Sequence, residues 1–312
     1  MNINIDHLCI DQEYIMNLNT LTETLQFFAM ISAELIALFF VVSFMVAMMQ
    51  EYVPASTVQR LLTGRGLRGN IVGAGLGAVT PFCSCSTIPV TVGLLNAGAP
   101  FGATMSFLVS SPILNPVILG LLVTLFGWKF TVFYGAASFV LAVAVGAVWQ
   151  LFGLERDVKK VRVVGESEIA GPTDFKSRLR RAGSAAFALF KTSLPYLLIG
   201  AGIGALIYGV VPGEWIATMA GADNPFAIPV AAAIGVPLYI RAETLIPIGM
   251  ALQSQGMSIG AVAALIIAGA GASIPEVTLL NTIFRPRLVA VFVLTIFTVA
   301  ISVGYVANLL FI

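Results

Sequence analysis

A chain of 312 residues that is 58% hydrophobic and only 10% charged, with mean hydropathy +0.97, excludes a soluble domain, which carries about a quarter charged residues. The net charge of +1 excludes the basic surface that follows nucleic acid. Three cysteines exclude a disulfide framework, because Cys9 stands alone near the N-terminus and a single residue separates Cys83 from Cys85.

In chain order, residues 1–26 contain four acids and no Lys or Arg. They lack the positive start of a cleaved signal peptide and read as a solvent-exposed arm. Runs 28–49, 101–126, 130–153, 184–211 and 287–312 each supply the ~20 apolar residues that cross a bilayer. Several membrane spans are therefore expected, in an all-α fold.

An offset of 158 residues lays Pro54 on Pro212, Pro89 on Pro247, Gly98 on Gly256 and Gly102 on Gly260. One inserted residue then aligns SSPILNP with GASIPE. The expected organisation is an arm (1–26), a first transmembrane repeat (27–154), a linker (155–184) and a second repeat (185–312). Stretch 155–181 has eight Lys/Arg and five Asp/Glu, which places the linker in the cytoplasm on the positive-inside rule. The first repeat carries Arg60, Arg65 and Arg68 in a loop whose counterpart carries Glu214 and Asp223. Trp128 and Lys129 precede its last run, where Arg285 and Arg287 precede the other. Equivalent loops on opposite sides indicate inverted repeats, the pattern of secondary transporters; parallel repeats are the alternative. Gly98 and Gly102, with Gly256 and Gly260, suit tight turns or close helix contacts.

Residues 70–98 hold two short apolar pieces separated by Cys83, Ser84, Cys85, Ser86 and Thr87 and bracketed by Pro81 and Pro89. Neither piece crosses a bilayer alone. The second repeat has Pro237 and Pro247 around Arg241, Glu243 and Thr244. The following runs are interrupted by Ser110, Ser111, Pro112, Asn115 and Pro116, and by Gly271, Ser273, Pro275 and Glu276. Prolines leave backbone groups unpaired, which a membrane tolerates only inside protein or beside water. Matching interruptions in two repeats therefore mark a binding site.

Cys83 and Cys85 are soft ligands that an unwound segment presents to a thiophilic metal or metalloid; the alternative is that they are small core hydrophobes. They do not form a zinc signature, since a second ligand pair is missing. Arg241 and Glu243 stand where the cysteines stand in the first repeat. Intramembrane charges default to function: Arg241 suits an anionic group, while Glu243 or Glu276 suits a coupling proton, and a structural ion pair is the competing reading. Ser110, Ser111, Asn115, Thr244 and Ser273 offer uncharged hydrogen-bonding groups, for a solute or to satisfy the helix breaks.

The strings TPFCSCSTIP and SSPILNP, in a match spanning nearly the whole chain, resemble the predicted permease family that includes ArsP-type organoarsenical efflux proteins and copper or zinc efflux relatives. The resemblance implies an inner-membrane permease with Cys83, Ser84, Cys85 and Ser86 in the substrate region and trivalent arsenic or a soft cation as substrate. The stretches IRAET and ASIPE depart from members with a second cysteine in the other half, which makes an anion or polar solute at Arg241 a rival substrate. The sequence thus indicates a multi-pass permease of the cytoplasmic membrane, surrounded by lipid, using no cofactor and catalysing no reaction. A membrane thiol redox protein and a passive channel are the rivals from other classes.

Overall fold

A computed structural model describes residues 66–80, 84–96, 98–159, 226–236 and 242–311, with Asn224 and isolated positions between 29 and 44 and between 177 and 195. The N-terminal arm, most of runs 28–49 and 184–211, the linker beyond Lys159, Cys83 and Arg241 lie outside the described residues. Within them the chain forms helices α1 (Leu67–Val79), α2 (Ser84–Asn96), α3 (Phe101–Ile113), α4 (Pro116–Phe126) and α5 (Trp128–Leu151), then α6 (Ala227–Gly235), α7 (Ala242–Ser254), α8 (Ile259–Gly271), α9 (Ile274–Ile283) and α10 (Pro286–Phe311).

Helices α5 and α10, with 24 and 26 residues and mean hydropathy 2.0 and 2.4, are about 36 and 39 Å long at 1.5 Å per residue and cross a bilayer. Run 101–126 is not the straight span its composition allows. It divides into α3 and α4, bent by 41°, because Pro116 forces the preceding residue out of the helical region: Asn115 has φ −49° and ψ 131°. Every residue of α3 is buried, as is α8 from Gly260 on, so these two helices form the centre.

Helices α7, α8, α9 and α10 each begin 158 residues after α2, α3, α4 and α5. The inserted residue of the sequence alignment is not needed by the helices, since Asn115 and Ser273, which precede α4 and α9, keep the same offset. The packing follows suit: α3 lies against α1, α2 and α5, and α8 against α6, α7 and α10, while α4 meets α7 and α9 meets α2.

Helices α5 and α10 run antiparallel. Trp149, near the end of α5, meets Phe292 near the start of α10 edge to face with ring centroids 6.3 Å apart; Phe130 and Phe133 meet Phe311 at 5.7 Å each. Beyond α5, Val158 and Phe284 form an antiparallel bridge. The Lys159 amide donates to Ile283 (2.8 Å) and the Arg285 amide to Asp157 (2.9 Å). Arg285 and Arg287 approach the Asp157 carboxylate at 3.9 and 4.0 Å. Both arginines are exposed, so this pair contributes under about 1 kcal/mol.

Bilayers supply no hydrophobic drive between helices, so close backbone approach by small residues does that work. Gly69, Gly73 and Gly77, buried at every fourth position of α1, lay its backbone against α3. At Gly77 an added Cβ would sit 2.9 Å from the Phe107 carbonyl. Likewise Gly102 of α3 lies against Gly146 of α5, and Gly260 of α8 against Gly304 of α10. Gly98 and Gly256 have φ of +81° and +105°, a turn conformation that side chains resist. The glycines singled out in the sequence thus divide into turn makers (98, 256) and contact makers (102, 260). The α1 stripe is an addition, though its spacing was visible.

Candidate functional site

The helix breaks meet at the centre. Ile113 ends α3 and Gly271 ends α8; a Cβ on Gly271 would lie 3.4 Å from Cδ1 of Ile113 and 3.0 Å from Ile296. Residues 113 and 271 are themselves 158 apart.

The first break is satisfied group by group. In a continuous helix the Ile113 carbonyl would accept the amide of Val117, but that amide donates instead to Oδ1 of Asn115 at 2.9 Å, an N-cap with proline behind it at N1. The hydroxyl of Tyr134, fully buried on α5, donates to the Ile113 carbonyl at 3.3 Å. Asn115 was legible as a site residue from Asn-Pro inside an apolar run; Tyr134 was not, because its partner is 21 residues away. The second break lacks this fastening: Ser273 makes no side-chain cap bond, and Phe292, at the offset of Tyr134, has no hydroxyl. Replacing Tyr134 by Phe is therefore expected to cost about 1–3 kcal/mol, the penalty for leaving a buried carbonyl unpaired, read as a lower thermal midpoint in detergent.

The cysteine-bearing segment differs from expectation. Ser84, Cys85, Ser86 and Thr87 are not unwound but form the first turn of α2, and Pro89 lies within that helix. Pro89 removes the bond to the carbonyl four residues back, that of Cys85, and its ring crowds that carbonyl, yet α2 continues through it; the amides of the first turn have no intrahelical partner in any case. The polar patch from Ser84 on thus belongs to a helix. Glu243 and Thr244 likewise lie on the first turn of α7, with Pro247 inside the helix.

Thr87 is fully buried; its hydroxyl donates to Oγ of Ser111 at 3.2 Å, holding the first turn of α2 against α3 just before the break. Ser110, also buried, donates to the Phe107 carbonyl at 3.2 Å. Ser111, Asn115 and Glu276 are buried and Ser273 half-buried, whereas Thr244 is exposed, turned away from the core the others share. An open groove of about 630 Å³ lies between α4 and α7, lined by Leu125, Pro247, Met250, Ala251, Gln253 and Ser254. Of the interrupted segments expected to mark a binding site it shares only Pro247. Among the described residues no cluster of three or more His, Cys, Asp and Glu is placed to hold a metal ion.

Apolar helices interrupted at matching positions and meeting break to break define a multi-pass membrane permease, here of the cytoplasmic (inner) membrane. The chain belongs to the ArsP_1 family, described as "Predicted permease", whose model matches residues 20–309. It is 22% identical over 301 residues to the UPF0718 protein MJ0584 of Methanocaldococcus jannaschii (77% of this chain, 81% of the relative). It is 24% identical over 251 residues to the UPF0718 protein YraQ of Escherichia coli (77% and 68%), and 23% identical over 258 residues to the UPF0718 protein YcgR of Bacillus subtilis (81% and 86%). No solved structure matches the chain.

Proposed function

We propose that this permease exports a thiophilic metalloid or metal, of the trivalent organoarsenical type, through a site at the meeting point of the two helix breaks. The observation that carries the reading is the Thr87–Ser111 hydrogen bond, which fixes the helical turn bearing Cys85 beside the broken helix α3. Trivalent arsenic exchanges two hydroxide ligands for the sulfurs of two thiols, the thiol protons leaving with the hydroxides as two waters, and Cys83 with Cys85 supplies two thiols separated by a single residue. Antiparallel α5 and α10 support inverted copies over 27–154 and 185–312 joined by a cytoplasmic linker. Such copies permit alternating access around a central site.

The test is thermal unfolding of the purified protein with phenylarsine oxide, cuprous and zinc ions, and small anions. At about 100 times its Kd a ligand stabilises the fold by about 2.7 kcal/mol. Phenylarsine oxide is expected to raise the midpoint of the wild type and to leave Cys83→Ser/Cys85→Ser unmoved. Stabilisation by anions alone, abolished in Arg241→Ala, would overturn the reading in favour of an anion permease. Stoichiometric, reversible oxidation of the thiol pair by a quinone or thioredoxin would favour a redox protein instead.

A further inference from the structure

Among the described side chains Glu276 is the only charged group that is fully buried. It lies on the first turn of α9, directly after the second break, on the helix that packs against the cysteine-bearing α2. The offset of 158 residues gives it Ile118, a buried apolar residue, so one break has an acid where the other has none. The contrast extends to fastening: Asn115 and Tyr134 hold the first break, whereas the second has Phe292 and an N-cap without a side-chain bond. The second break is the one whose charge, and with it whose preferred packing, a proton can change. Charged groups inside a membrane are costly enough to select between two arrangements of their surroundings.

We propose that Glu276 is the proton-binding residue of the transport cycle, taking up one proton from one side of the membrane and releasing it to the other in each turnover. The proposal rests on the reading of this site as the transport pathway and names its coupling group. The titratable groups on the helices packed against α9 are Cys85 on α2, and Arg287 and Tyr305 on α10. Arg287 is exposed beside Asp157 and Tyr305 is exposed. Arg241 and Cys83 fall outside the described residues.

A structural alternative is built into the sequence, since Ser273-Ile274-Pro275-Glu276 has the spacing of a capping box, in which the third helical residue reaches back to the start of the helix. Glutamine serves that role as well as glutamate. Glu276→Gln therefore keeps a cap and removes only the titration.

The test reconstitutes wild type, Glu276→Gln and Glu276→Asp in liposomes. It measures phenylarsine oxide flux against pH, corrected for leak through empty liposomes, alongside infrared difference spectra of each protein across the same pH range. The expected result is a pH-dependent flux in the wild type, a flat profile in Glu276→Gln, and recovery of a pH-dependent profile in Glu276→Asp. An infrared carboxyl band that titrates in the wild type is expected to vanish in Glu276→Gln. A wild-type pH profile in Glu276→Gln, or a titrating band that survives the substitution, would overturn the proposal. The infrared measurement needs no substrate, so its band supports the assignment even if phenylarsine oxide proves not to be carried; the substrate reading and the proton assignment fail separately.

Discussion

Replacing Gly73 by alanine is expected to lower the thermal midpoint by roughly 2–6 °C, following from an overpacking cost of about 1–3 kcal/mol in a chain of this size. The added methyl would run into the carbonyl of Ala103, with the carbonyl carbon 2.9 Å and Cα 3.3 Å away. All three atoms are backbone of a helix buried on every side, so no side chain can swing aside. Moving the backbone instead would loosen α1 from α3, which also carries Ser110 and Ser111. Gly75, two residues on in the same helix, has no atom within 4 Å of an added Cβ. Gly75→Ala is therefore expected to be neutral or to stabilise by up to about 1 kcal/mol, the gain in helix propensity. Gly260→Ala should behave like Gly73→Ala, because its Cβ would meet the carbonyl of Gly304 and, at 2.8 Å, Cγ of Asn308, whose Oδ1 accepts the Gly260 amide at 2.7 Å. Unfolding midpoints of the three purified variants check the set, and equal midpoints for Gly73→Ala and Gly75→Ala would contradict the account.

Much of this framework was legible in the sequence because it is written in residues whose effects are local. Asn115-Pro116 breaks a helix wherever it occurs, and Gly98 and Gly256 announce turns. The offset that matches these marks also matches the helix starts. Pro89 is a weaker signal for an equally local reason: α2 begins at Ser84 and runs through it, so a proline near a helix start does not by itself mark a break. Tyr134 and the burial of Glu276 belong to another class of fact. Nothing in the residues around Tyr134 says that its hydroxyl reaches the Ile113 carbonyl, and nothing around Thr244 says that it faces outward while Thr87, on the matching turn, is fully buried. Proximity to a break is a property of the chain, whereas the rotation of each half-helix depends on what packs against it.

Joining α3 and α4 into one helix should separate what the break does for stability from what it does for transport. Pro116→Ala combined with Asn115→Ala removes both the residue that excludes the helical conformation at position 115 and the side chain that occupies the Val117 amide at 2.9 Å. That amide then becomes available to the Ile113 carbonyl, and 101–126 can run as a continuous helix about 39 Å long. Folding is expected to be unharmed, since the helical bond regained offsets the loss of a cap whose removal costs about 1 kcal/mol. Transport is expected to fall by at least about tenfold, equivalent to roughly 1.4 kcal/mol on the barrier, because on the proposed alternating-access reading the central half-helices would lose their joint. Unchanged stability with lost flux is the signature of a functional site that is not optimised for stability. Flux of phenylarsine oxide in liposomes and the unfolding midpoint, measured on the same preparation, give both readings. Undiminished flux through a straightened helix would reduce the break to a packing feature and remove the physical basis for alternating access at this point.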